Sequence, residues 1–372
     1  MQQRSTRRRW PLILVALAVV LAAGWSVLWY YAAARAETVI AGWRDREAKA
    51  GRIHTCGSQS VSGFPFRFAM RCAEPGLEVK SAAQPVSIKA RGIVITANVW
   101  QPTLLTAHIV GPLSIAEPGQ PATVTANWKN AESEVRGIPT DPEQLTITLD
   151  EPIVERTDGG AAQRLFSAAR LEIRGRMLEG SARHNPVIEI TLKTTSAAAP
   201  TLHPLTEAPL DADIVAVLRG LKDFRPKPWP DRFREIQQAN GRIEISSARV
   251  KQGDTIAVSN GALGLSPSGR PDGQLRVSVA NIASLLPALG LDGRSAQVNR
   301  PLDNAANRLD RIAPGLGGIA RQNAGPALVA ALNFIGQPAE IEGQRAITLP
   351  LRFQDGAVTL GPIPLGQTAP LF

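Results

Sequence analysis

Leu145-Thr146-Ile147-Thr148-Leu149-Asp150 alternates apolar and polar side chains, and the same beat returns in Ile188-Glu189-Ile190-Thr191-Leu192-Lys193 and Val124-Thr125-Ala126-Asn127-Trp128. Successive strand side chains point to opposite faces, so each stretch is a strand with one apolar and one wet face. Strands buried on both faces of a parallel sheet read as unbroken apolar runs, so the sheet here is antiparallel. Between Val86 and Val99 the apolar phase slips from Val86, Ile88 and Ala90 to Ile93, Ile95 and Ala97. A bulge near Gly92 absorbs such a slip and curls the sheet. The expected fold is mainly β (α+β), with curved antiparallel sheets or a β-groove, peripheral helices and one N-terminal transmembrane helix.

Outward from that core, residues 51–195 form a first β-rich half. Ser196-Ala197-Ala198-Ala199-Pro200 then opens a helical, Pro-rich connector over 196–240. Within it, Leu210–Leu221 reads as a helix with Ile214, Val217, Leu218 and Leu221 on one stripe. A short helix carrying Phe233 and Ile236 ends at Asn240-Gly241. The second β-rich half, 241–372, begins with strands at Arg242–Val250, Thr255–Leu265 and Gly273–Val279. Helical stretches follow at Ile282–Leu289, Leu302–Ile312 and Pro326–Ile335. Ile347, Leu349, Leu351 and Phe353 alternate up to Asp355-Gly356, a two-residue hairpin signal. Val358-Thr359-Leu360 returns from that turn, and the remaining Gly- and Pro-rich tail is expected to be extended and unpaired. No exact internal repeat is evident.

Towards the N-terminus, Pro11–Tyr31 contains no ionisable side chain except tyrosine. A helix of that length rises about 30 Å, the thickness of a bilayer's hydrocarbon core. Arg4, Arg7, Arg8 and Arg9 precede it, so the positive-inside rule keeps residues 1–9 as a cytoplasmic tail and exports the body. Trp10 at one end, with Trp29, Tyr30 and Tyr31 at the other, reads as an aromatic belt around an anchor at 10–31. A cleaved signal peptide is the competing reading, because Ala32-Ala33-Ala34 and Ala34-Arg35-Ala36 offer small-x-small sites. Residues 32–50 continue as a helix, with Ala36, Val39, Ile40 and Trp43 on one stripe and Gly51 closing it; a stalk that holds the body to the membrane and a stripe that packs on the sheet that follows are equally good readings.

The formal charge of +9 includes those four arginines, and the weakly basic remainder suits anionic headgroups more than nucleic acid. Cys56 and Cys72 are the only cysteines. In an exported chain they most simply form one disulfide; a reduced pair or a redox couple are the alternatives. Their spacing is far from C-x-x-C, and no histidine stands at metal-ligand spacing beside them.

Residues that carry chemistry are scarce. Gly315-Leu316-Gly317-Gly318-Ile319-Ala320 matches G-x-G-x-x-A, but Pro314 and a helix precede it where the dinucleotide fingerprint needs a strand. Gly264-Leu265-Ser266-Pro267-Ser268 has serine where a nucleophile elbow needs its last glycine. His54, His108, His184 and His203 are isolated, and Asp150-Glu151 and Asp141/Glu143 lie at strand ends beside prolines. No catalytic, cofactor-binding or metal residue is expected, and no cofactor.

Gly42-Trp43-Arg44, then Cys56, Gly63-Phe64-Pro65-Phe66-Arg67-Phe68 and Cys72, and finally Asp355-Gly356 with Leu360-Gly361-Pro362-Ile363-Pro364-Leu365-Gly366 carry a resemblance. Together they are similar to the proteobacterial family called domain of unknown function 2125. More loosely, Gly241–Leu289 resembles the C-terminal pattern of AsmA-like envelope proteins. The wider resemblance implies an inner-membrane anchor, a periplasmic body with a β-groove, and a role in phospholipid handling or envelope assembly. It implies no catalytic residue. The function expected is non-enzymatic: lipid handling or envelope biogenesis, with the inner membrane, a phospholipid or another envelope protein as partner. A structural or protein-interaction module, and a periplasmic hydrolase, are the alternatives.

Overall fold

The computed structural model describes residues 10–80, 85–138, 141–158, 160–225, 227–282, 334, 336–361 and 363–372. The arginine-rich tail, the expected helical stretch Leu302–Ile312, all of Ile282–Leu289 but Ile282, all of Pro326–Ile335 but Phe334, the Gly315–Ala320 segment and Pro362 lie outside those residues. The chain divides into two compact units, Met1–Thr123 and Val124–Phe372.

The first unit opens with α1 (Trp10–Lys49), one unbroken helix that joins the expected anchor and stalk. Pro11 sits in the first turn, where its missing N–H leaves no hydrogen bond unmade. Ala, Leu and Val dominate its N-terminal half. The helix stops where Gly51 takes φ +80°, with its N–H donating to the Ala48 carbonyl at 3.0 Å.

The strands that follow are β1 (Arg52–Thr55), β2 (Ser58–Ser62), β3 (Arg67–Ala73), β4 (Gly76–Val79), β5 (Val86–Asn98) and β6 (Gln101–Ala116). β1 and β2 are successive parts of one extended line, antiparallel to a second line made of β3 and β4. β5 pairs along both of the latter, and β6 pairs along the other edge of β5. The lines break at one level. Gly57 N donates to Ala73 O at 2.9 Å, Glu74 N to Arg91 O at 3.0 Å, and Ala90 N to Pro75 O at 3.0 Å. The expected bulge near Gly92 belongs to this crease, as a register shift between Ala90 and Gly92.

The second unit begins with β7 (Val124–Asn127), β8 (Asn130–Arg136), β9 (Gln144–Asp150), β10 (Ile153–Arg156), β11 (Gln163–Ser167), β12 (Arg170–Ser181) and β13 (His184–Ala197). It repeats the crease. Lys129 N donates to Asp150 O at 2.9 Å, Glu151 N to Ala169 O at 2.9 Å, and Ala168 N to Pro152 O at 3.1 Å. In both units the break falls on a Glu-Pro step with the glutamate at positive φ, +51° at Glu74 and +50° at Glu151. Proline cannot donate to a ladder, so the pairing must re-register around it. The repeat is invisible as sequence identity because it is carried by one dipeptide and by backbone geometry.

The sheet runs on through β14 (Leu210–Arg219), which corrects the helix expected at Leu210–Leu221 inside the helical connector. Leu210, Ala212, Ile214, Ala216 and Leu218 also satisfy a period of two, and Ile214, Val215 and Val217 are β-branched. Pairing on both edges, with β13 and with β15 (Arg242–Gln252), outweighs the helical stripe. The expected short helix is present as α2 (Trp229–Gln238). After β15 come β16 (Thr255–Leu265), β17 (Pro271–Ala280), β18 (Gln337–Ile341), β19 (Gln344–Gln354), β20 (Ala357–Leu360) and β21 (Ile363–Gln367). β15, β16, β17 and β19 pair in succession, and β18 and β20 share the far edge of β19.

Asp355 and Gly356 turn β19 into β20 with both residues at positive φ, as a two-residue hairpin requires. The tail does not remain unpaired: β21 adds antiparallel to β20, with a register shift between Val358 and Thr359 that sets Pro364 opposite Thr359. A proline is tolerated there because it lies on an outer strand.

Candidate functional site

Cross-strand partners share a face of a sheet, so register alone maps the second unit's surface. Ile147, Ile173, Leu192, Ile214 and Ala248 form one transverse row. Leu145, Gly175, Ile190, Ala216 and Ile245 form the next. Further rows pair Leu149 with Leu171, and Met177 with Ile188 and Leu218. The opposite face carries Thr148, Glu172, Lys193, Asp213 and Arg249 in register. Ion pairs lace that side, including Arg176–Glu189 at 3.0 Å, Lys193–Asp213 at 3.1 Å and Arg170–Asp150 at 2.7 Å. Exposed pairs of this kind contribute about 0–1 kcal/mol each, so their main effect is to keep that face wet.

The apolar rows are not sealed. Ile147, Ile173, Ile190, Leu192 and Ile214 are half-buried, and Leu145 and Ile243 are exposed. Fully buried apolar clusters among the described residues gather near β16 to β19 instead, around Ile256, Ala280, Ile341 and Ala346 and around Ile347 and Leu349. At one end of the open rows a cavity of about 260 Å³ is lined by Val135, Leu145, Gly175, Met177, Ile188 and Phe224. Phe224 is held there by its N–H, which donates to Ala182 O at 2.8 Å.

In the first unit the family-like motif forms a joint between helix and sheet. Gly63 (φ +109°) leaves β2, and a Cβ there would stand 2.6 Å from the Arg67 carbonyl oxygen, so glycine is required. Phe64, the cis peptide to Pro65, and Phe66 make the turn into β3. The Trp25 indole donates to Pro65 O at 2.9 Å and the Trp29 indole to Arg67 O at 3.3 Å. Trp29 also stacks on Phe68 with ring centroids 5.3 Å apart, and it meets Phe64 edge-on. Of the aromatics expected to form an interfacial belt at this end, Trp29 is instead buried against the sheet, whereas Tyr30 and Tyr31 are exposed. Lower on the helix, Arg44 donates to Gln59, and Arg52 donates to Glu47. The Arg52 hydrogen bond, against the opposing effect of burial, holds the Glu47 carboxyl below its ordinary range.

Cys56 and Cys72 form a disulfide beside the crease, with Cα atoms 5.8 Å apart. Gly361, at the other end of the chain, takes φ +57° and donates its N–H to Pro350 O at 2.8 Å.

The remaining polar clusters brace turns. Ser266 Oγ donates to Asp355 Oδ1 at 2.7 Å, and Ser268 bonds the same oxygen. The Ser268 and Ser266 hydroxyls hold the Asp355 carboxyl below its usual range. Glu235 is on the buried side of α2, where burial raises its pKa, but the Lys222 N–H, Lys227 and Arg232 outweigh that effect and the net shift is downward. His54 lies in β1, His108 in β6, His184 opens β13, and His203 caps a single 3-10 turn. Asp150 and Glu151 are engaged by Arg170 and Lys129. Among the described residues no group of three His, Cys, Asp or Glu side chains is placed to hold a metal.

These features define a class with two creased antiparallel units: in the first the sheet is docked on a long apolar N-terminal helix, and in the second one sheet face is apolar and half-exposed. The chain belongs to the family of uncharacterised proteins conserved in bacteria, DUF2125, whose pattern matches residues 29–369. No curated protein matches the chain.

Proposed function

We propose that this is a single-span protein of the bacterial cell envelope, anchored in the inner membrane, that handles lipid along the apolar face of its second unit. The continuous apolar rows from β9 to β15, backed by a charged face, carry this reading. Apolar surface left in water is unfavourable by about 25 cal/mol per Å², and an acyl chain laid along the rows would remove it from water. The 260 Å³ cavity at their end would accept a chain terminus. Trp10–Lys49 contains a window of mean hydropathy 2.5 that is long enough to span, and the arginines before Trp10 favour a cytoplasmic N-terminus with a periplasmic body. A disulfide suits that oxidising compartment. We read the protein as non-enzymatic: among the described residues, the contact of Ser266 and Ser268 with Asp355 braces a turn.

Mass spectrometry of lipids retained by the detergent-extracted full chain tests the proposal. Phospholipid enriched above an unrelated single-span control is the expected result, and retention no greater than the control would overturn it. The exposed Leu145, Ile243 and Phe224 also suit an apolar partner surface on another envelope protein. Stoichiometric recovery of one protein without lipid would favour that second reading.

A further inference from the structure

Besides the helix, the first unit presents a second aromatic surface at its helix-proximal end. Phe64 (46% exposed), Phe66 (55%) and Trp100 (73%) project from two adjacent turns. The turns are tied together: Val99 N donates to Phe66 O at 3.0 Å, and the Phe66 and Trp100 rings lie 5.9 Å apart, nearly stacked. Large apolar side chains grouped at a tip cost hydration free energy unless something covers them. The same tip is fixed to α1 by the Trp25 and Trp29 indole bonds to Pro65 and Arg67, and by Phe64 stacked on Tyr30 at 6.0 Å. Its height along the helix is therefore set. Trp29 stands about 29 Å of helix rise from Trp10, which matches a hydrocarbon core about 30 Å thick. A helix spanning from Trp10 brings the tip to the level where the bilayer meets water on the far side.

We propose that Phe64, Phe66 and Trp100 insert into the headgroup–acyl boundary of the membrane that α1 spans, giving the body a second attachment beside its anchor. This rests on reading α1 as membrane-spanning. Trp100 favours that depth because its indole joins a large apolar ring to an N–H donor, and Phe64 and Phe66 add apolar area beside it. Arg67, exposed on the same turn, is placed to meet lipid phosphates, and Arg35, bonded to Tyr31 Oη at 3.0 Å, flanks the helix there. Two attachments hold the first unit's sheet at a fixed tilt, where a lone helix would let it swivel.

The test uses the full chain in phosphatidylcholine/phosphatidylglycerol liposomes. A fluorophore is attached through Phe66→Cys or, as a control at the opposite end of β6, through Glu117→Cys, with the disulfide left oxidised. Lipids carrying a nitroxide near the headgroup should remove most emission from position 66 and little from position 117, while aqueous iodide should show the reverse order. Equal nitroxide quenching at the two positions in carbonate-resistant protein overturns the docking alone. Protein that carbonate extracts overturns the spanning helix and the docking with it.

Discussion

His54 sits where helix and sheet meet, its ring 4.5 Å from that of Trp43 and its Nε2 3.9 Å from Glu47 Oε2. Burial is the largest influence and pushes its imidazole below the ordinary value; Arg44 and Arg52 act the same way, while Glu47 opposes them. The folded state therefore binds the proton less readily than the unfolded chain. Stability from this site is complete above the unfolded histidine value of about 6.5 and is lost as pH falls through that value towards the lower folded one. Thermal unfolding followed from about pH 7.5 to about pH 5 should show a falling midpoint, and His54→Gln should flatten that slope. A midpoint that rises on acidification in this window would contradict the assignment. Glu47 is distinct in the profile, because its lowered carboxyl gives up stability only further into acid.

At the scale of elements, the joint between α1 and the β2–β3 turn concentrates its energy in Trp29, which is 5% exposed and both stacked and hydrogen-bonded. Trp29→Ala is expected to destabilise the first unit by about 3–5 kcal/mol, the usual range for a buried tryptophan. Trp29→Phe keeps a ring on Phe68 and loses the bond to Arg67, for about 1 kcal/mol plus the smaller ring's lost contact. Limited proteolysis at the 63–67 turn reads both. Equal protection in Trp29→Ala and the parent would mean that the turn is held by something else. The Glu-Pro creases act at the same scale, since each lets several strands change register together without breaking the sheet.

For the whole molecule, the decisive property is the asymmetry of the second unit's sheet. Ile173→Glu and Ile190→Glu each place a carboxylate among the apolar rows without touching the ion-paired face. Both side chains are half-buried, so the charge can reach water and the fold should tolerate it. Lipid retained by the double variant is expected to fall several-fold while its thermal midpoint stays within a few degrees of the parent. Unchanged retention would move the lipid site away from these rows.

Much of this architecture was legible in the sequence. Thr255–Leu265 is a strand over the expected range, the Asp355-Gly356 hairpin forms, and the slip near Gly92 is a bulge. These are local signals, written in side-chain period and turn chemistry. Leu210–Leu221 was misleading because its residues satisfy two periods, and the choice fell to neighbours that offered ladders on both edges. Trp29 read as part of an interfacial aromatic belt because nothing local announces that Phe68, far along the chain, will stack on it. Sequence alone therefore determined most of the strands, the antiparallel class, the apolar helix and the pairing open to Cys56 and Cys72. Only the tertiary structure decided that the apolar stripes of separate strands line up into one half-exposed face, and that the Gly63–Arg67 turn grips the helix. Both depend on register between segments distant in the chain, which no single segment encodes.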